Sequence, residues 1–382
     1  MSYYGEVMLR ARWASWRDWR QQRRGQANAR WGWIKPPAGR GPAIWMQGFA
    51  DYDDLRLAAD LAKAIRQKRL DLRVVLTFEV EHPELLEHMD GIPGLGYGFG
   101  PCDHPQAVAR TLERLAPLRY LALGAPPRRH LAGALTKRSI PAVFMGTGPG
   151  PAALPPVEAV YPRNVEQAEA WHPLLPADRI EDPVDFSTLI TVAQVEPNFR
   201  AMACGGDDRQ LWWVSGVSAA SAAQWIKAWQ GSPLRRSGLL FLSGHGMAPA
   251  GLERMSQWAR TPLAAGSSLW VDEGRWHPAL AVAAQGVHLE AATSTGDIWQ
   301  AFAGGRPLSA APTARLPRPE AMGPDIVPIL ADPNTVLARW QDLAGDPMAA
   351  REQGDAARRA FWAERRRAGE RLPAFLERVF AW

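Results

Sequence analysis

The chain has 382 residues, 47% hydrophobic and 22% charged, which fits about two globular domains and excludes a disordered chain, a collagen-like repeat or a disulfide scaffold. A formal charge of +5 over this length does not mark a nucleic-acid-binding protein. Cys102 and Cys204 lie far apart and outside any paired spacing, which fits a reducing compartment, and no apolar run reaches the ~18 residues that would cross a bilayer.

The first forty residues form a distinct arm. They carry Arg10, Arg12, Arg17, Arg20, Arg23, Arg24 and Arg30, opposed by Glu6 and Asp18 and interleaved with Trp13, Trp16, Trp19, Trp31 and Trp33. Arg10, Arg12 and Arg17 interrupt what would be the apolar core of a signal peptide, so a cytoplasmic protein is expected. On a helix, Trp13, Trp16 and Trp19 make one drifting stripe. Indole rings suit the boundary of a headgroup layer and guanidinium groups pair with anionic phosphate, so Trp13, Trp16, Trp19, Arg17 and Arg20 are candidate membrane-contact residues. The same residues would equally serve as packing on the body of the protein or as a surface for a protein partner.

After Pro36-Pro37 the pattern alternates. Ala43–Met46, Leu72–Phe78, Tyr120–Leu123 and Ala142–Met145 read as strands, and Asp54–Gln67, Pro105–Leu115 and His130–Thr136 as helices. The alternation restarts with strands at Leu211–Val214, Gly238–Leu242, Ser268–Val271 and Val287–Glu290. Helices are expected at Ala219–Trp229, Ala250–Arg260 and Ala279–Ala284. Strand–helix alternation of this kind means parallel βαβ units covered on both faces. The predicted organisation is an arm (1–40), a first Rossmann-like domain (41–180), a linker (181–208), a second Rossmann-like domain (209–333) and a helical tail (334–382). The two Rossmann-like halves are expected to face a central cleft.

The eight histidines show no HxxxH or HExxH spacing, so no metal site is expected. Ser243-Gly244-His245-Gly246 is not a nucleophile elbow, and Gly146-Thr147-Gly148-Pro149-Gly150 lacks the Lys-Ser/Thr of a phosphate loop. Trp212, Trp213, Trp225 and Trp229 read as core of the second domain.

Several segments resemble the 3-deoxy-D-manno-octulosonic acid (Kdo) transferases. The opening Gly41-Pro42-Ala43-Ile44-Trp45-Met46-Gln47, with its acidic cluster and a helix ending Ala64-Ile65-Arg66, is similar to that family's first strand, turn and helix. Gly100-Pro101-Cys102-Asp103-His104-Pro105, Arg138-Ser139-Ile140-Pro141-Ala142-Val143, Pro176–Ile180, Leu330-Ala331-Asp332-Pro333 and Asp346-Pro347-Met348 resemble later segments. The resemblance implies an α/β GT-B fold of two Rossmann-like domains, with no metal and no cofactor beyond a nucleotide-sugar donor. It also implies transfer of Kdo or a related sugar from a CMP-linked donor to a lipid A-type acceptor, at the inner face of the cytoplasmic membrane.

The implied chemistry is inverting transfer, in which a carboxylate takes the proton of the acceptor hydroxyl and positive or N–H groups hold the leaving phosphate. The family's base falls on Asp53 counted from the strand and on Asp54 counted from the helix. Both also read as helix-starting residues that favour the N-terminal dipole. The donor side would be built by Ser243 and His245, by Gly266, Ser267 and Ser268, and by His277. The family's ribose-holding Glu is replaced here by Leu280 or Ala281. That loss supports an alternative in which the chain is an inactive GT-B relative serving as a binding or scaffold protein in envelope assembly.

Overall fold

The computed structural model describes residues 3–48, 52–82, 85, 89–150, 153–190, 198–244, 248–249, 251–272, 276–291, 293–316, 323 and 326–381. The chain divides into two compact units: Met1–Ile190 with Arg367–Trp382, and Thr191–Arg366.

Unit 1 starts with helices α1 (Tyr3–Arg20) and α2 (Arg24–Arg30). It continues through β1 (Ala43–Gln47), α3 (Tyr52–Lys68), β2 (Arg73–Phe78), β3 (Leu95–Phe99), α4 (Pro105–Leu115) and β4 (Pro117–Leu123). Then come α5 (Arg129–Lys137), β5 (Ala142–Met145), β6 (Val157–Tyr161) and α6 (Val165–Trp171). The six strands form one parallel sheet in the order β3-β2-β1-β4-β5-β6. Strand periodicity divides its core: Ile44, Met46, Leu76 and Leu121 face one layer, and Trp45, Val75, Tyr120 and Phe144 the other. All five residues of β1 are buried, as a central parallel strand requires.

Unit 2 comprises α7 (Phe199–Cys204), β7 (Gln210–Ser215), α8 (Ala219–Gly231), β8 (Gly238–Ser243), β9 (Glu253–Arg254) and β10 (Ser268–Val271). It continues with α9 (His277–Ala283), β11 (Gly286–Leu289), α10 (Thr295–Gly304), β12 (Leu308–Ala310) and α11 (Pro333–Gly345). Its parallel sheet has the order β12-β11-β7-β8-β10-β9. Leu211, Trp213 and Phe241 pack on one side of the sheet; Trp212, Val214, Leu240 and Trp270 pack on the other. Trp212, Trp213, Trp225 and Trp229 are all buried, and Trp212 stacks on Trp340 at 4.9 Å. The last helix, α12 (Pro347–Phe380), contributes Ala357 and Phe361 to the core of unit 2 and Ala368, Phe375 and Val379 to that of unit 1.

One expected helix is absent. Residues 251–260 instead carry the short edge strand β9, paired in parallel with β10 through Leu269 and Trp270, and a 3-10 turn at Met255–Gln257. Leu252, Met255 and Trp258 recur every three residues and imitate a helical face, but Gly251 adopts φ +86 and ends any helix there. Met255 and Trp258 are still buried in the core. Strands β3, β6 and β12 and helices α6, α7 and α10 went unread in the sequence; the glycines of Leu-Gly-Tyr-Gly-Phe disguise β3 as a loop.

Helix α1 is fastened to unit 1 at both ends. The Tyr3 hydroxyl donates to Asp103 Oδ2 at 2.7 Å, and buried Asp18 pairs with Arg30 at 2.7 Å and Arg23 at 3.1 Å. Trp13, Trp16 and Trp19 remain 61%, 52% and 60% exposed. Among the described residues, no helix is long and apolar enough to cross a membrane.

Candidate functional site

Open parallel sheets bind ligands beyond the carboxyl ends of their strands. In unit 1 that end is organised by an ionic cluster. Asp54, in the first turn of α3, is paired with Arg163, which lies just past β6. Arg163 Nε is also 3.4 Å from Asp185 Oδ1, and Asp185 accepts bonds from the Ser187 amide at 3.0 Å and the Ser187 hydroxyl at 2.7 Å. Two glycines make room for the cluster. Gly124 follows β4 at φ +79, and a Cβ there would stand 1.8 Å from Asp54 Oδ2; a Cβ on Gly146, at φ +66, would stand 3.0 Å from the Arg163 guanidinium. Asp54 therefore sits deep in a shared ionic contact, whereas its neighbour Asp53 is half-buried at the mouth of α3.

A cavity of about 470 Å³ adjoins the same end of the sheet. Helix α1 forms one wall with Tyr3, Glu6 and Arg10, and Phe78 and Phe99, at the ends of β2 and β3, form another. Arg128 reaches into it, paired with Glu79 at 2.6 Å. Thus the amino-terminal arm is part of a pocket wall, a role its composition does not announce.

In unit 2 the carboxyl ends of β7, β8 and β11 gather polar groups. Ser243 ends β8 fully buried, and its hydroxyl accepts the Trp213 indole N–H at 3.0 Å. His277, the first residue of α9, is paired through Nδ1 with Asp297 in the first turn of α10. Its ring lies 5.4 Å from that of Trp213. Asp297 also stands 3.4 Å from the Ser215 hydroxyl, and its amide donates to the N-cap Ser294 at 3.1 Å. Glu290, just past β11, accepts the Trp225 indole N–H at 2.7 Å. The arrangement is a carboxylate-oriented imidazole beside two buried serine side chains.

The predicted donor residues do not all meet here. Ser243 and His277 lie at this end of the sheet, and His245 falls outside the described residues. Gly266 and Ser267 precede β10 and Ser268 begins it, and the register pairs Ser268 with Leu240 and Val271 with Ser243. They therefore lie at the amino end of the sheet, away from Ser243. Gly266 there takes φ +84 and accepts the Trp229 indole N–H at 3.0 Å, which is a packing role. Asp297, Glu290, Arg163 and Asp185 were not singled out in the sequence. The Ser294-to-Asp297 cap spacing was the available sign of Asp297.

No protein-family model matches the sequence, and no curated protein matches it. Solved structures do. A putative UDP-N-acetylglucosamine 2-epimerase from Listeria monocytogenes superposes with TM-score 0.63 at 12% identity, over 90% of this chain and 97% of that one. The UDP-GlcNAc 2-epimerase of Neisseria meningitidis, bound to UDP-GlcNAc, gives 0.59 at 10% identity, over 88% and 100% of the two chains. The glycosyltransferase SnogD from Streptomyces nogalater gives 0.55 at 14% identity, over 88% and 100%. With two six-stranded parallel sheets flanked by helices, this chain has the GT-B fold of two Rossmann-like domains that these UDP-sugar epimerases and glycosyltransferases share.

Proposed function

We propose that the protein is a metal-independent, inverting glycosyltransferase whose unit 2 holds a nucleotide-sugar donor. The observation that carries this reading is the His277–Asp297 pair with Ser215 and Ser243 at the carboxyl ends of β7 and β8. With Nδ1 engaged by Asp297, the far nitrogen of His277 is the atom that would donate to a donor phosphate. The acceptor oxygen attacks the anomeric carbon, its proton passes to a carboxylate, and the bond from the anomeric carbon to the nucleotide phosphate oxygen breaks. Asp53 and Asp54, at the start of α3, are the proposed candidates for that carboxylate, and Asp54 is also paired with Arg163. Charge gathers on the leaving phosphate, where a fixed donor lowers the barrier most.

The sequence resemblance favours a CMP-linked Kdo-type donor and a lipid A-type acceptor. Similar folds solved with UDP or UDP-GlcNAc favour a uridine nucleotide. Calorimetric titration with CMP, UDP and GDP separates them. Saturable binding of one nucleotide, weakened by at least about tenfold in His277→Ala, supports the reading and names the donor class. No heat with any of the three, from folded protein, leaves the non-catalytic relative, which the enclosure of Asp54 between Arg163 and Gly124 favours.

A lipid-linked acceptor requires the protein to visit a membrane surface. The exposed stripe of Trp13, Trp16 and Trp19, with Arg17 and Arg20 stacked over two of those rings, supports peripheral binding to anionic lipid at the cytoplasmic face.

A further inference from the structure

Unit 2 holds a second concavity at the opposite end of its sheet. A cavity of about 470 Å³ opens between the amino ends of β7, β11 and β12 and the helices α11 and α12. Arg200, Arg306, Arg351 and Arg358 line it, against only Asp208 and Asp355 among its acidic lining residues. These carboxylates hold the arginines loosely: Arg200 is 3.7 Å from Asp208, Arg358 is 3.9 Å from Asp355, and Arg351 is 4.0 Å from Asp355. The carboxylate of Asp208 is fully exposed to solvent, which weakens its attraction further.

Arg306 is half-buried and donates to the carbonyl of Val282. Burial, then the like charges of Arg200 and Arg358, push its guanidinium below its ordinary value. Three guanidinium groups are thus held near one another with too little negative charge between them. Trp212 completes the wall. It is fully buried there.

We propose that this cavity binds a small phosphorylated ligand, a free diphosphate or a sugar phosphate, as a site separate from the crevice of Ser243 and His277. Planar guanidinium groups match phosphate oxygens two at a time, and a phosphate dianion relieves the mutual repulsion of Arg200, Arg306 and Arg358. The volume admits a diphosphate or a hexose phosphate. Because nucleotides in such sheets occupy the carboxyl ends, an anion held at the amino ends would lie apart from the nucleotide crevice.

The test is calorimetric titration of the full chain with inorganic pyrophosphate and with a hexose 1-phosphate. Binding that weakens at least about tenfold in Arg306→Gln and in the more exposed Arg358→Gln, and persists in His277→Ala, supports the site; the tighter of the two probes identifies the ligand source. Circular dichroism melts of both arginine variants establish that they are folded. Absence of binding by either probe overturns the proposal. So does binding that is lost in His277→Ala and kept in both arginine variants, which would place the anion in the nucleotide crevice.

Discussion

Gly124 and Arg163 together decide where Asp54 can sit. At φ +79, with Asp54 Oδ2 1.8 Å from where its Cβ would lie, Gly124→Ala has to move the α3 mouth or the strand end. It should cost about 2–4 kcal/mol, read as a lowered urea midpoint at unchanged slope. Arg163→Ala leaves the carboxylates of Asp54 and Asp185 buried without their shared cation and should cost about 3–5 kcal/mol; Arg163→Lys should recover part of that. His288 carries a pH dependence. It is buried against Trp225 and Ser309, and burial pushes its imidazole down from 6.5 to about 3. Below pH 6.5 the unfolded chain takes up a proton that the folded chain refuses until about pH 3. Stability is therefore full above pH 6.5 and falls by up to about 1.4 kcal/mol per pH unit below it. Urea midpoints at pH 7 and pH 5 should differ more in the native protein than in His288→Asn. Little of this scale was legible beforehand. Asp54 and Arg163 are 109 positions apart, and only the folding of β1 and β6 into one sheet brings them together.

Among elements, α1 combines two duties that composition alone cannot separate. Its inner side carries buried Ala11 and Asp18 and a wall of the unit 1 cavity, while its outer side presents the tryptophans. Removing residues 1–35 would therefore disturb both. Replacing Trp13, Trp16 and Trp19 with Ala is the cleaner experiment, because each is more than half exposed. Flotation with anionic vesicles should fall by at least about tenfold while the melting temperature stays within about 2 °C; unchanged flotation would remove the membrane contact. The elements with strong periodicity, such as α3 and β8, were legible because burial on a sheet imposes it. Strand β9 was not, since two ladder residues at a sheet edge leave almost no pattern and Trp258 completes a false helical one. Of the residues expected on the donor side, Ser243 and His277 share a sheet end, whereas Gly266 and Ser267 precede β10 and Ser268 begins it.

Over the whole molecule, the strand–helix alternation sufficed to foresee two parallel sheets, because each βαβ unit has essentially one way to close on a sheet. The order of strands had to come from the fold. So did the return of the chain, whose residues beyond Arg366 rejoin unit 1 and add Phe375 against Tyr161 at 5.3 Å and Phe186 at 6.5 Å. A chain ending at Arg366 should keep unit 2 resistant to protease and lose most of unit 1, read by mass spectrometry of the surviving fragments.

That return also sets a schedule on the ribosome. The first 190 residues leave the exit tunnel without their closing helix, and they wait while Thr191 to Arg366 is translated. At about 5–20 residues per second the wait is roughly 10–35 s. Through that interval the nascent sheet presents Tyr161 and Phe186 uncapped, an apolar face open to chaperones or to a neighbouring nascent chain, until Phe375 emerges and covers it.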